Sequence, residues 1–186
     1  MNRVIVAVIG QDSPGVVYTV SRALSELGCN IEEMSQTTLL GQFASIFLVA
    51  KPLALANAAL DQALAAAIAA RGLSLSLVIR DYQASTPASA ASEPFVIAVD
   101  GTDRNDIITS FSGIFAEQGI NIDQLRAIKP GGDQQKALLV FEVSIPLGID
   151  RRALHRTLAD RAASLGLAMS MQHRDIFEAV HRVLSA

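Results

Sequence analysis

The strongest constraint on the fold of this chain is that its sequence occurs twice. When residues 93–123 are placed over the start of the chain at a shift of 91 residues, nine positions carry identical residues. The first members of these pairs are Ala7, Val8, Gly10, Asp12, Ser21, Glu26, Gly28, Asn30 and Ile31. Later the shift becomes 94 residues, with nine more identities at Pro52, Leu53, Leu60, Leu64, Gly72, Leu73, Ser76, Arg80 and Asp81. Two long copies indicate a duplicated domain rather than a solenoid of short repeats.

Each copy has the pattern of a βαββαβ unit, in which period-2 and helical apolar spacings alternate along the chain. In the first copy the predicted elements lie at residues 4–9, 13–28, 30–40, 43–50, 55–71 and 73–82. In the second copy they lie at residues 95–99, 105–118, 120–128, 137–145, 150–165 and 167–174. The order predicts an α+β protein of two ferredoxin-like units, each an antiparallel sheet with two helices on one face.

The segment between the copies, QASTPASAASE at residues 83–93, lacks periodicity and is typical of a linker. The sequence therefore predicts two domains, at residues 1–82 and 94–186. The second closes with an amphipathic helix that carries Phe177, Val180 and Leu184. Because such sheets keep one face uncovered, we expect units to pair and the chain to form a homodimer.

The turn between the first strand and helix, GQDSPG at residues 10–15, has two interpretations. Ser13 can cap the helix with Pro14 at its first position. The turn can also bind a small molecule, because N–H groups at a helix N-terminus suit a carboxylate and Gly15 lets a ligand approach the backbone. Asp12 could pair with an ammonium group or cap the helix instead, and the Asn30 amide could contact both ends of a zwitterion.

G-x-D-x-P-G at a strand–helix turn, followed by an amphipathic helix ending in L-G-x-N-I, resembles the ACT domain family. The resemblance covers about residues 3–82 and 94–176. It implies paired modules that sense small molecules, often amino acids. By resemblance to tandem ACT regulators, the effector would be a small amino acid such as glycine, and the protein partner a transcription activator. The predicted ligand-binding residues are Asp12, Ser13, Pro14, Gly15, Val16, Asn30 and Ile31.

The second copy departs from this motif, since Arg104-Asn105-Asp106 replaces Ser-Pro-Gly. Asp106 would repel a carboxylate, although it suits the helix dipole. We therefore expect one competent site per chain, or a site shared across a domain pair. The residues of a second, degenerate site would be Asp103, Asn105, Asn121 and Ile122.

Catalytic, metal and cofactor chemistry finds no support in the sequence. His155, His173 and His181 lack the spacing of a metal motif, and Cys29 is the only cysteine. The net charge of −3 and the absence of an aromatic platform argue against direct nucleic-acid binding. No apolar run reaches the ~18 residues of a membrane span, and VIVAVIG is too short for a signal peptide. We expect a cytoplasmic, reducing compartment.

Three functions agree with these observations. The first is a non-enzymatic regulator that senses an amino acid and acts through a protein partner, with transcriptional repression as its output. The second is a ligand-independent interaction or dimerisation module whose turn is empty. The third is a separate regulatory subunit of an enzyme of amino-acid metabolism.

Overall fold

The fold is seen in a computed structural model, which describes residues 1–84, 91–129 and 135–183. The chain forms two compact units, Met1–Ser85 (unit 1) and Thr86–Ala186 (unit 2). Each unit is a four-stranded antiparallel sheet with two helices packed on one face, in the order βαββαβ. The predicted α+β fold class, with its two ferredoxin-like units and a further C-terminal helix, is confirmed.

Unit 1 consists of four strands and two helices. They are β1 (Asn2–Gln11), α1 (Val16–Glu26), β2 (Asn30–Leu39), β3 (Gln42–Lys51), α2 (Asn57–Ala70) and β4 (Leu75–Asp81). The strands are arranged in the order β2-β3-β1-β4, so that β2 and β4 form the edges. A bulge between Ile31 and Glu33 shifts the register of β2 against β3.

Alternation along the strands explains why both helices lie on one face of this sheet. On β1, Val4, Val6 and Val8 are buried, and the residues between them point to the opposite face. The helices bury one side each against these strands, because their apolar residues recur every three or four positions. The buried helix residues are Val16, Thr19, Val20, Ala23, Leu24, Leu60, Leu64 and Ile68.

Unit 2 repeats this arrangement and adds a helix. Its elements are β5 (Ser92–Thr102), α3 (Ile107–Glu117), β6 (Asn121–Ile128), β7 (Lys136–Pro146), α4 (Arg151–Ser164), β8 (Ala168–His173) and α5 (Arg174–Val183). The strand order is β6-β7-β5-β8, and α5 contacts β5 and β8. Phe111, Phe115 and Phe141 form an aromatic cluster in the core, with the rings of Phe115 and Phe141 in an edge-to-face contact at 5.5 Å.

Several element boundaries differ from those predicted. Helices α1 and α3 begin later than expected, at Val16 and Ile107. Strand β5 begins at Ser92, inside the segment predicted as a linker, because its first residues pair with β7. The rest of the predicted linker at residues 85–90 and Leu184 of the closing helix lie outside the described residues.

Candidate ligand-binding site

Backbone contacts anchor the turn between β1 and α1, residues 12–15, at its entrance. The Asp12 N–H donates to the Gly41 carbonyl at 2.9 Å, and the Gln11 N–H donates to the Ser74 carbonyl at 3.2 Å. A Cβ at Gly10 would lie 2.1 Å from the Ser74 oxygen, so this close approach requires glycine. Gly10 was not among the predicted site residues, although its identity in both copies was a signal for such a requirement.

Helix α1 begins without a side-chain cap. Its N-cap is Gly15, whose φ of 98° favours glycine, and no side chain bonds to the N–H groups of its first turn. The prediction that Ser13 caps this helix with Pro14 at the first helical position is therefore wrong. The left-handed Gly15 redirects the chain after Pro14, so the helix starts at Val16. Below the turn, the Thr19 N–H and hydroxyl both donate to the Gly15 carbonyl, at 2.9 and 2.8 Å.

The space around this helix start is open. A Cβ added at Gly15 would meet no atom within 4 Å. The Val16 N–H reaches only the Ser13 carbonyl, in a long contact of 3.4 Å. The exposed Asp12 carboxylate forms no ion pair or hydrogen bond with the residues that the structure describes. The turn thus places weakly engaged N–H groups of partial positive charge near a carboxylate.

Asn30 and Ile31 lie at the other end of the sheet. Gln11 stands opposite Gln42 of β3, whereas Asn30 stands opposite Ala50. The eight-residue step from 42 to 50 corresponds to roughly 26 Å along the strand. Asn30 is exposed, and Ile31 packs against the core of unit 1. A small ligand at the turn is therefore out of reach of Asn30 of the same unit.

In unit 2 the corresponding turn carries an ion pair. Asp106, the N-cap of α3, stands where unit 1 has Gly15. Arg104 donates two hydrogen bonds to the Asp106 carboxylate, at 2.9 and 3.1 Å. These bonds hold the pKa of Asp106 below its usual value. A carboxylate ligand approaching α3 would therefore meet a side chain of like charge, which the turn of unit 1 lacks.

The other residues of the predicted second site are engaged within unit 2 or separated from the turn. Asp103 forms an ion pair with Lys129. Asn121 lies at the far end of the sheet, opposite Ser144, and its amide donates to Asp123 at 2.7 Å. The remaining two are Asn105, exposed in the turn, and Ile122, packed against the core of unit 2.

His155, His173 and Cys29 occupy separate environments, and the side chain of His181 lies outside the part that the structure describes. His155 is exposed on α4, while the His173 ring meets the edge of Phe95 at 5.3 Å. The half-buried Cys29 packs against the core of unit 1, and burial raises the pKa of its thiol. Within the described residues, no group of three or more His, Cys, Asp or Glu could hold a metal ion. The described part of the chain also has no helix long and apolar enough to span a bilayer.

Comparison with known proteins identifies a family to which the first unit is similar. The family model of the ACT domain matches residues 2–78, which include the turn described above. Unit 2 repeats the fold of unit 1, so both units have an ACT-like ferredoxin fold.

Particular relatives follow from the same comparison. The glycine cleavage system transcriptional repressor of Escherichia coli is 24% identical over 152 residues, which cover 75% of this chain and 72% of that protein. A UPF0237 protein of Methanopyrus kandleri is 49% identical over 49 residues, which are 26% of this chain and 54% of the relative. This chain thus spans about half the length of that shorter relative.

The fold has also been observed in a solved structure. A crystal structure of an unknown protein from Galdieria sulphuraria matches with a TM-score of 0.76 and 22% identity. The match covers 92% of this chain and 98% of that protein. At this level of identity the match establishes that the fold is shared.

Proposed function

We propose that this chain is a non-enzymatic regulatory protein that senses a small amino acid at the β1–α1 turn of unit 1. The observation that carries the proposal is the α1 N-terminus, which has an open glycine N-cap and no side-chain cap. Its N–H groups would bind the ligand carboxylate, as helix N-termini bind anions elsewhere. The Asp12 carboxylate, without a partner among the described residues, would take the ammonium group.

The geometry favours one sensing turn per chain, in unit 1. In unit 2 the carboxylate of Asp106 stands where the ligand carboxylate would approach, paired with Arg104. Because Asn30 is separated from the turn of its own unit, Asn30 and Ile31 would contribute only to a ligand held by another such unit. A small ligand such as glycine is favoured, because the turn itself supplies a carboxylate and backbone N–H groups for the two charged ends of an amino acid.

The proposed output is repression of transcription through a protein partner, a transcription activator. The Escherichia coli relative is a transcriptional repressor, and this supports the proposal. A protein partner is favoured over DNA because the net charge is −3, which offers no electrostatic attraction for phosphates. We place this regulator in the cytoplasm, where its single cysteine would stay reduced.

The test uses tyrosine fluorescence during thermal unfolding, with each of the twenty amino acids added in turn. Both tyrosines, Tyr18 and Tyr82, lie in unit 1, and the chain has no tryptophan, so the signal reports unit 1 alone. A ligand at ~100 times its Kd stabilises a protein by about 2.7 kcal/mol. For a unit of this size, that stabilisation raises the unfolding midpoint by roughly 10 °C or more.

Two substitutions at one position separate charge from backbone strain. Gly15→Asp introduces the residue of unit 2 and should abolish the rise in midpoint, because its carboxylate repels that of the ligand. Gly15→Ala is the matched control, because it introduces the same left-handed backbone strain without a charge. This variant should keep most of the rise in the unfolding midpoint. If no amino acid stabilises the wild type, or if Gly15→Asp responds as the wild type does, the sensing proposal is wrong. The first of these results would favour a ligand-independent interaction module.

A further inference from the structure

A groove runs between helices α1 and α2 on the helical side of unit 1. Its volume is about 280 Å³, close to the lower limit of about 300 Å³ for small-molecule sites. Three alanines line it, Ala23, Ala67 and Ala70, together with the cations Arg22 and Arg71. The small side chains leave the space open, and the two guanidinium groups place positive charge around it.

In unit 2 a side chain crosses the corresponding groove. The repeat places Arg161 at the position of Ala67, and Ser110 at the position of Thr19. The Arg161 guanidinium extends from α4 to α3 and donates a hydrogen bond to the Ser110 hydroxyl at 2.7 Å. Because the same pair of helices can be bridged by its own side chains, the fold does not require an open groove in unit 1.

Tyr18, which is 53% exposed, lies beside both guanidinium groups of the groove. The guanidinium carbon of Arg71 is 5.3 Å from the centroid of the Tyr18 ring, which is a cation–π distance. Hydrogen bonds to the Glu26 carboxylate and to the Tyr18 hydroxyl raise the pKa of Arg22. Two like charges are therefore held close to one phenol ring, where a single anion can contact both.

The positive charge of the groove is only partly compensated. Glu26 accepts a hydrogen bond from the Nε of Arg22 at 2.7 Å, and the guanidinium keeps further N–H donors at its two terminal nitrogens. Arg71 forms no ion pair with the residues that the structure describes. The repeat places Gly113 and Leu165 at the positions of Arg22 and Arg71, so this excess of cations is a property of unit 1 and not of the fold.

We propose that the groove between α1 and α2 binds a small phosphate monoester, with its phosphoryl group between Arg22 and Arg71. Guanidinium groups bind phosphate through paired N–H donors. A phosphoryl group presents three oxygens and a charge of about −1.5 to −2 at neutral pH, whereas a carboxylate presents two oxygens and a single charge. Arginines on two different helices can therefore share one phosphoryl group. The space beside the three alanines would hold the organic part of the ester.

The groove is separate from the β1–α1 turn, and its proposed ligand binds through different donors. Arg22 lies about 9 Å along the axis of α1 from Val16, the first residue of the helix. The turn offers backbone N–H groups, whereas the groove offers guanidinium groups. The binding test is made without any amino acid, so a negative result would leave the sensing proposal unaffected.

The first experiment is an NMR titration of the isotope-labelled full chain with glycerol phosphate, at neutral pH and constant ionic strength. The backbone amides of Arg22, Ala67 and Arg71 should shift along saturable curves. Arg22→Gln and Arg71→Gln should each raise the Kd at least about tenfold, because each removes a charge-assisted hydrogen bond. Arg80→Gln is the matched control, since it removes an exposed arginine of unit 1 outside the groove and should keep the wild-type Kd.

The second experiment fills the groove without changing its charge. Ala67→Leu should abolish the saturable shifts, and its far-ultraviolet circular dichroism should match the wild type, because the repeat accommodates an arginine at this position. Inorganic phosphate is the second probe. It should bind more weakly than glycerol phosphate, since it has no organic part to contact the alanines, while glycerol alone should cause no shifts.

Four results would overturn the proposal. The first is the absence of saturable shifts, and the second is shifts confined to residues 15–17, which would place the anion at the N-terminus of α1. The third is a loss of affinity in Arg80→Gln as large as in Arg71→Gln, which would indicate unspecific attraction. The fourth is unchanged binding by a folded Ala67→Leu variant. Equal affinity for the two phosphate probes would overturn the monoester assignment and identify free phosphate as the ligand.

Discussion

Gly10→Ala provides the sharpest test of how the β1–α1 turn is positioned. The added Cβ would lie 2.1 Å from the carbonyl oxygen of Ser74 and 2.9 Å from the Cα of Leu75, both backbone atoms. Neither atom can rotate away, so β1 and β4 must separate locally. Overpacking of this kind costs about 1–3 kcal/mol. Loss of the Gln11–Ser74 hydrogen bond adds about 1 kcal/mol, for a total of roughly 2–4 kcal/mol.

The measurement is the free energy of unfolding of unit 1, followed through the fluorescence of Tyr18 and Tyr82 during denaturation by urea. Gly72→Ala is the matched control in the same unit, because Gly72 has a φ of +65° but open space around its Cβ position. It should cost only the left-handed strain, about 1–2 kcal/mol. If Gly10→Ala destabilises unit 1 no more than Gly72→Ala does, the close approach to Ser74 does not determine the position of the turn.

Three further predictions concern single side chains. Asp150 accepts hydrogen bonds from two N–H groups at the start of α4. Asp150→Ala should therefore lower the calorimetric unfolding midpoint of unit 2 more than Asp150→Asn does, and equal decreases in the midpoint would contradict this. Arg104→Ala should raise the pKa of Asp106 to the usual range in an NMR titration, because the Arg104 hydrogen bonds now lower it. Because the pKa of Asp106 is lowered, the Arg104–Asp106 ion pair is complete at neutral pH and is lost as the pH falls through the folded-state pKa. If the pKa of Asp106 is unchanged in the variant, Arg104 is not what lowers it. At neutral pH the Cys29 thiol should react with a disulfide reagent more slowly in the folded protein than in the urea-unfolded protein, because burial raises its pKa. Equal reaction rates in the two states would argue against that burial.

The candidate site could be predicted from the sequence only in part. The tight turn and its glycine were visible as a motif, because Pro and Gly restrict or extend the backbone wherever they occur. The cap was misassigned, since Ser13, Pro14 and Gly15 can start a helix in more than one way. The left-handed conformation of Gly15 is that of the third residue of a type II turn at residues 13–16, for which Pro-Gly is a local signature that the assignment of Ser13 as a cap overlooked.

The buried cation of unit 1 was also beyond sequence reasoning. Lys51 is only 4% exposed, and its ammonium group donates to the Leu55 carbonyl. The repeat places Ile145, 1% exposed, at the same position of unit 2. A lysine at the end of a strand is normally solvated. Its burial depends on how the segment before α2 folds back over β3.

The sequence by itself determined the duplication, through identical residues at a fixed shift, and the order of strands and helices in each copy. This order follows from periods of two and 3.6 residues, which are local properties of the chain. The tertiary structure alone decided which residues meet across the sheet. Strand register placed Asn30 roughly 26 Å from the turn and aligned Glu33 with Arg80 in one row. Register depends on hydrogen bonds and packing between segments far apart in the chain, so a local pattern cannot encode it.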